Sequence, residues 1–235
     1  MNLEEVMEAL RALGKEQTKR VYLNHGAREP LFGVTTGAMK PLAKQLGRDH
    51  ALSMALYATG NYDAAYLAGM IADPKAMTRE DFELWMETAY FYMLSDYVVA
   101  VTLAEADIAQ EVADKWIASE EELRRSAGWS CYCWLLGNRQ DSEFSESKIA
   151  KMLDTVQNTI HEAPLRAKYA MNQFLYTAAV SYLPLHEKAV ETAKAVGQVE
   201  VKQNKGKSSF LSASENIQKA IDKNQLGFKR KHVRC

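Results

Sequence analysis

The stretch YFYMLSDYVVA, residues 90–100, sets one carboxylate, Asp96, among aromatic and apolar side chains. A carboxylate so placed has two uses. Behind a capping Ser95 it would sit in the first turn of a helix, where the helix dipole favours negative charge. Alternatively, ringed in sequence by Tyr90, Phe91, Tyr92 and Tyr97, it would be a catalytic acid held in an aromatic nook. From the residues alone both readings stand.

Two further segments carry candidate chemistry. In LRRSAGWSCYCWLL, residues 123–136, adjacent arginines open an otherwise apolar helix. Neighbouring helical positions lie ~100° apart, so Arg124 and Arg125 face different surroundings. One can pair with Glu120, Glu121 or Glu122, while the other clamps a phosphate or carboxylate through its planar guanidinium. Trp129 and Trp134 read as core. In PLRAKYAMNQFLY, residues 164–176, Arg166 and Lys168 stand just after a helix-starting proline and could hold an anion with free backbone N–H groups. Asn172 and Gln173 are amides inside an apolar helix, where they either crosslink neighbouring helices or face a polar groove; the groove is favoured.

Other chemistries lack their patterns. There is no phosphate-binding glycine loop, no zinc-protease helix motif, no serine nucleophile elbow and no CxxC pair. Cys131 and Cys133 point to different helix faces with no ligand-spaced histidine, and they read as small buried hydrophobes. Neither a metal nor a cofactor is expected.

The elements that must position these residues are helices. Twelve glycines and five prolines in 235 residues argue against a turn-rich β-sandwich. A composition 47% hydrophobic and 25% charged is that of an ordinary globular chain, with no apolar run of membrane-spanning length. The acidic, amphipathic start MNLEEVMEALRALGKEQ is unlike a signal peptide, so a cytoplasmic location is expected. Periodicity predicts about a dozen helices, among them 3–14, a Thr-capped helix stopping at Gly47, one from Ser95 and one from Pro164. MTREDFELWMETAYFYM reads as a single helix. Apolar helices near Asn61, Ser95, Glu120 and Pro164 alternate with more charged ones, at spacings of roughly 25–45 residues that fit degenerate helical hairpins. The expected class is all-α, a curved superhelical stack of HEAT-like helical-hairpin repeats; an irregular globular helical bundle is the alternative. GQVEV is the one strand-like stretch.

Charge divides the chain unevenly. Residues 202–235 hold nine Lys and Arg against Glu215 and Asp222, a surplus of +7, whereas the other 201 residues carry −8. We therefore expect a repeat domain over 1–201 and a basic C-terminal extension over 202–235, packed on or following it.

Taken in order, YLNHGAREPLFGVTTGAMKPLAKQL, YMLSDYVVA, LRRSAGW and LRAKYAMNQFLY resemble the AlkD-type DNA alkylation repair proteins, the HEAT-like repeat class of alkylpurine DNA glycosylases. The ending GKSSFLSASENIQKAIDKNQLGFKRKHVRC is similar to the C-terminal extension of one branch. The resemblance implies duplex DNA with alkylated or distorted sites as partner, held in a basic concave groove by a monomer. It implies hydrolysis of the N-glycosidic bond of cationic N3- and N7-alkylpurines without base flipping. A groove carboxylate would stabilise the sugar cation and position water, two tryptophans would contact the sugar, and an arginine would hold a phosphate. By motif the carboxylate falls on Asp96 and the arginine on Arg125. Tyr92 and Asn172 stand where the tryptophans are expected. The resemblance therefore leaves three readings: a monofunctional glycosylase, a non-catalytic paralogue gripping distorted or branched DNA, and a helical-repeat interaction scaffold.

Overall fold

Helix starts follow the capping residues. The side chains of Asn2, Thr35, Asp49, Asn61, Thr78, Ser145 and Ser212 each accept from a backbone N–H two or three residues on. They satisfy donors that the first helical turn would leave unpaired. The computed structural model describes residues 1–202 and 208–233. By contacts the chain divides at Ile108/Ala109 into two compact units.

The first unit contains α1 (Leu3–Leu13), α2 (Glu16–Asn24), α3 (Thr36–Leu46), α4 (His50–Ala58), α5 (Tyr62–Ile71) and α6 (Arg79–Thr88). It closes with α7 (Tyr92–Leu94), a π-helical turn over Ser95–Val99, and α8 (Ala100–Ala104). Its centre is α5, which forms a hairpin with α4 and also meets α3 and the π-turn. Eight of the ten α5 residues are buried, including the carboxylate of Asp63. That carboxylate accepts from the backbone N–H groups of Phe32, Gly33 (3.0 Å) and Val34 (2.8 Å). It thus supplies acceptors for a loop that makes no ladder of its own. Burial pushes the Asp63 carboxyl above its ordinary range, outweighing the backbone donors that pull it down.

The second unit contains α9 (Ala109–Ile117), α10 (Glu122–Leu136), α11 (Glu146–Thr159), α12 (Leu165–Ser181), α13 (His186–Val196), β1 (Val199–Lys202), β2 (Ser208–Leu211) and α14 (Ala213–Asp222). Here α9, α11 and α13 each bury one stripe at i, i+3, i+4 and i+7, such as Ile149, Met152, Leu153 and Val156. By contrast α10 and α12 are buried on several faces, as the apolar/charged alternation of the sequence predicts. They pack together through Trp129 and Phe174, whose ring centroids lie 5.1 Å apart edge to face. Between α9 and α10, a Cβ on Gly128 would stand 2.7 Å from the Ile117 nitrogen and 2.8 Å from the Ala113 oxygen. Only glycine lets these backbones approach so closely.

Beyond GQVEV, β1 pairs antiparallel with β2, so the polar segment expected after it ends in a second strand. The hairpin leaves the all-α class intact. From the extension, β2 and α14 lie in the second unit, and α14 packs on α12 and α13. Lys205, Lys207, Arg234 and Cys235 fall outside the described residues.

Three expectations need correction. MTREDFELWMETAYFYM is two helices, since α6 ends at Thr88 and a new turn starts at Tyr92. Ser95 is no cap: its backbone is helical (φ −63°, ψ −49°), and a continuous helical path runs from Tyr92 to Ala104. Trp134 is only half-buried, with the Arg230 guanidinium 4.8 Å above its ring, whereas Trp129 is fully buried as expected.

Candidate functional site

Asp96 stands inside the π-turn and is 5% exposed. Ser95, instead of capping, donates its hydroxyl to Asp96 Oδ1 at 2.9 Å. The turn is held from behind by α5, where a Cβ on Gly69 would lie 2.7 Å from Val98 Cγ1. An extra residue in a helical turn re-aims the side chains around it, and such turns recur at functional sites. The rings near Asp96 in sequence belong to a row of aromatic contacts. Tyr22 meets Tyr62 (5.1 Å between centroids), Tyr62 meets Phe91 (5.9 Å), Phe91 meets Tyr92 (4.7 Å) and Tyr92 meets Tyr97 (6.5 Å). The row runs from half-buried Tyr22 through buried Tyr62 and Phe91 and ends at Tyr97, which is 46% exposed. Tyr92, half-buried, is the penultimate ring.

Arg125, Arg166, Lys168 and Asn172 belong to the second unit. The adjacent arginines separate as the ~100° rule requires: Arg124 pairs with Glu121 at 3.2 Å, and among the described residues Arg125 takes no such pair. Arg125 is half-buried, and its buried Nε finds no acceptor among the described residues. The ends of α10 and α12 are fastened around it. Glu122 Oε1 accepts from the Arg166 N–H at 2.7 Å, and Ser126 donates its hydroxyl to the Arg166 carbonyl at 3.2 Å.

That fastening corrects the anion site expected at the start of α12, because the Glu122 carboxylate already occupies one of its free N–H groups. The side chains there are engaged as well. The Arg166 guanidinium lies 4.9 Å over the Tyr169 ring, and Lys168 Nζ donates to the Glu200 carbonyl at 3.2 Å. Asn172 is 8% exposed and its amide oxygen has no hydrogen bond among the described residues, whereas Gln173 is exposed. The amides therefore part company, and Asn172 alone stays among buried groups.

The basic tail is partly spent on structure. Lys229 Nζ donates to the Leu136 carbonyl at the end of α10 and pairs with Asp141, both at 2.7 Å. Arg230 donates its N–H to the Gly137 carbonyl at 2.7 Å and accepts from the Asn138 amide at 2.7 Å. Segment 229–230 thus closes the C-terminus of α10, satisfying carbonyls that the helix leaves open. Sequence reasoning missed this strap, and it missed Asp63; an acid in an otherwise apolar helix, NYDAAY, was the available signal for the latter.

Among the described residues no group of three or more His, Cys, Asp or Glu is placed to hold a metal. Burial pushes the Cys131 thiol well above its ordinary range, which keeps it from being a ready thiolate.

The helical hairpins of the two units define an all-α protein of the HEAT-like repeat kind. A solved structure matches the whole chain, each covering 100% of the other, at 66% identity and a TM-score of 0.96. That structure is described as "a new family of proteins related to the HEAT-like repeat DNA glycosylases with affinity for branched DNA structures". The chain belongs to the DNA alkylation repair enzyme family, whose pattern it matches over residues 6–217. Two curated relatives are the uncharacterized proteins Lin0241 of Listeria innocua, 31% identical, and Lmo0209 of Listeria monocytogenes, 30% identical. Each alignment covers 90% of this chain and 93% of the relative.

Proposed function

We propose that this protein binds branched or distorted DNA and has weak or no glycosylase activity. The observation that carries the reading is the substitution of both expected sugar-facing tryptophans. Tyr92 puts a phenol at the first position, and Asn172, buried beneath the surface of α12, offers no ring at the second. A sugar cation is stabilised partly by ring faces, so losing them removes part of the transition-state term. DNA grip needs less. Arg125 keeps a guanidinium uncommitted among the described residues, suited to a bidentate phosphate contact. The affinity for branched DNA ascribed to the 66%-identical protein supports the same choice of partner.

A glycosylase reading keeps one specific observation, the retained Asp96, nearly buried and hydrogen-bonded by Ser95. One experiment separates the two. Binding to a four-way junction and to a linear duplex of equal length is measured by fluorescence anisotropy, alongside base release from DNA containing 7-methylguanine. The expected result is tighter binding to the junction with base release at background. Release above background that Asp96→Asn abolishes would overturn the non-catalytic reading, and equal or absent binding to both DNAs would overturn the branched-DNA reading. The protein is expected to bind as a monomer, which the stoichiometry of the same titration reads.

A further inference from the structure

A cleft of about 260 Å³ lies between α12 and α14, in the second unit, apart from every residue assigned above. Gln173 and Tyr176 line it from α12, Asn216 and Lys219 from α14, Lys223 from the C-cap of α14, and Gln225 from the segment that follows. Its shape is fixed by structure below and beyond it. Ala213 and Ile217 are buried on α14, and the buried Ala220 forms part of the cleft wall. Asn224 then turns the chain in the left-handed region (φ 55°), one of the few residues besides glycine that does so readily. The Gln225 N–H reaches back to the Ala220 carbonyl at 3.0 Å, and the Gly227 N–H donates to Val180 of α12 at 2.8 Å. Gln225 is thereby held at the rim.

The chemistry of the lining is one-sided. Lys219 and Lys223 stand one helical turn apart on the same face, and among the described residues neither has an ion pair. The nearest acid in sequence, Asp222, instead accepts from Gln218 Nε2 at 2.8 Å. Two ammonium groups one turn apart suit an anion with several oxygens. Three carboxamides supply donors and acceptors for the edge of a base, and the Tyr176 ring supplies a face. Clefts that take whole drug-sized ligands run to roughly 300–1,000 Å³, so this one accommodates a single unit of a chain. A base pair does not fit it.

We propose that the α12–α14 cleft holds one nucleotide of an unpaired strand, its phosphate against Lys219 and Lys223 and its base against Tyr176 and the carboxamides. The inference rests on the branched-DNA reading and names the part of such DNA that this cleft engages, the strand that leaves the duplex.

The test uses the full chain and three probes: a forked duplex with a single-stranded flap, the same duplex without it, and inorganic phosphate. Lys219→Ala/Lys223→Ala and Lys219→Arg/Lys223→Arg alter exposed positions, and circular dichroism melting checks that both remain folded. On the flapped fork the Ala pair is expected to make log Kobs against log salt shallower by roughly 0.7 to 1.4, about 0.7 per strand phosphate contact. The Arg pair is expected to keep the wild-type slope, and binding to the flapless duplex to stay unchanged. If wild type binds the flapped fork and the Ala pair binds it with the same slope, this inference falls and the branched-DNA reading stands. If wild type binds no branched DNA, both fall together. Lysine acylation mapped by mass spectrometry distinguishes the anion's source. Protection of Lys219 and Lys223 by flapped DNA supports the proposal; equal protection by inorganic phosphate at the same phosphate concentration overturns the strand assignment.

Discussion

At the scale of single residues, what decides a side chain's role is which neighbours have already engaged it. Arg124 and Arg125 are chemically identical, yet one is tied to Glu121 and the other carries a buried Nε with no acceptor among the described residues. The difference comes from a rotation of ~100° per residue and from where the acids happen to lie. Arg125→Ala is therefore expected to lower junction affinity and to make the salt dependence shallower by roughly 0.9, one duplex phosphate contact; Arg124→Ala serves as control. Equal slopes for the two variants would remove Arg125 from the interface. Asp63 yields a second prediction, in stability. Burial holds its folded pKa above the unfolded value. The linked stability is then present below the unfolded pKa and is lost as pH rises through the folded pKa. Relative to the non-titrating Asp63→Asn, wild type should lose stability as pH rises across the carboxylate range, read by urea unfolding. A constant difference across that range would contradict the shift.

At the scale of elements, the sequence displayed most of the framework. Helix starts were legible because Thr35, Asn61 and Ser212 cap by a local mechanism, and the stripes on α11 and α13 because burial follows 3.6-residue spacing. The π-turn was not legible. Ser-Asp before an apolar run is the local pattern of a helix start, and only packing against α5, at Gly69 and Val98, shows that the helix was already under way. β2 was missed for a related reason: SSFL is too short to display alternation, and its strand identity comes from the partner β1. Nor was the hydrogen bond from Ser95 to Asp96 legible, because capping and side-chain bonding use the same hydroxyl. The α9/α10 contact supports a test of element packing. Gly128→Ala would gain up to ~1 kcal/mol of helix propensity. Its methyl must displace the α9 backbone, an overpacking that typically costs about 1–3 kcal/mol. The net expectation is a loss of about 1–2 kcal/mol in chemical unfolding, and unchanged or raised stability would refute the close approach.

At the scale of the whole molecule, charge sets how the protein meets a polyanion. The net charge is −1, and the sequence outside residues 202–235 is acidic. Long-range attraction to DNA is therefore weak, and binding must come from a few placed cations. With Arg125, Lys219 and Lys223 as the candidate contacts, the slope of log Kobs against log salt for a flapped fork should be roughly −2 to −3. A slope near zero would mean that phosphate contacts do not carry the binding. A slope near −10 would mean that many more cations take part than these three.

The strap from Lys229 to Arg230 gives this design a temporal side. α10 holds Arg125 at one end, and its other end is finished by residues 93 positions further along the chain. Chains emerge from the ribosome N-terminus first. During synthesis α10 therefore waits with open carbonyls at Leu136 and Gly137 until the chain through Arg230 has appeared. A product that stops before Lys229 therefore lacks the closure of the helix that carries Arg125.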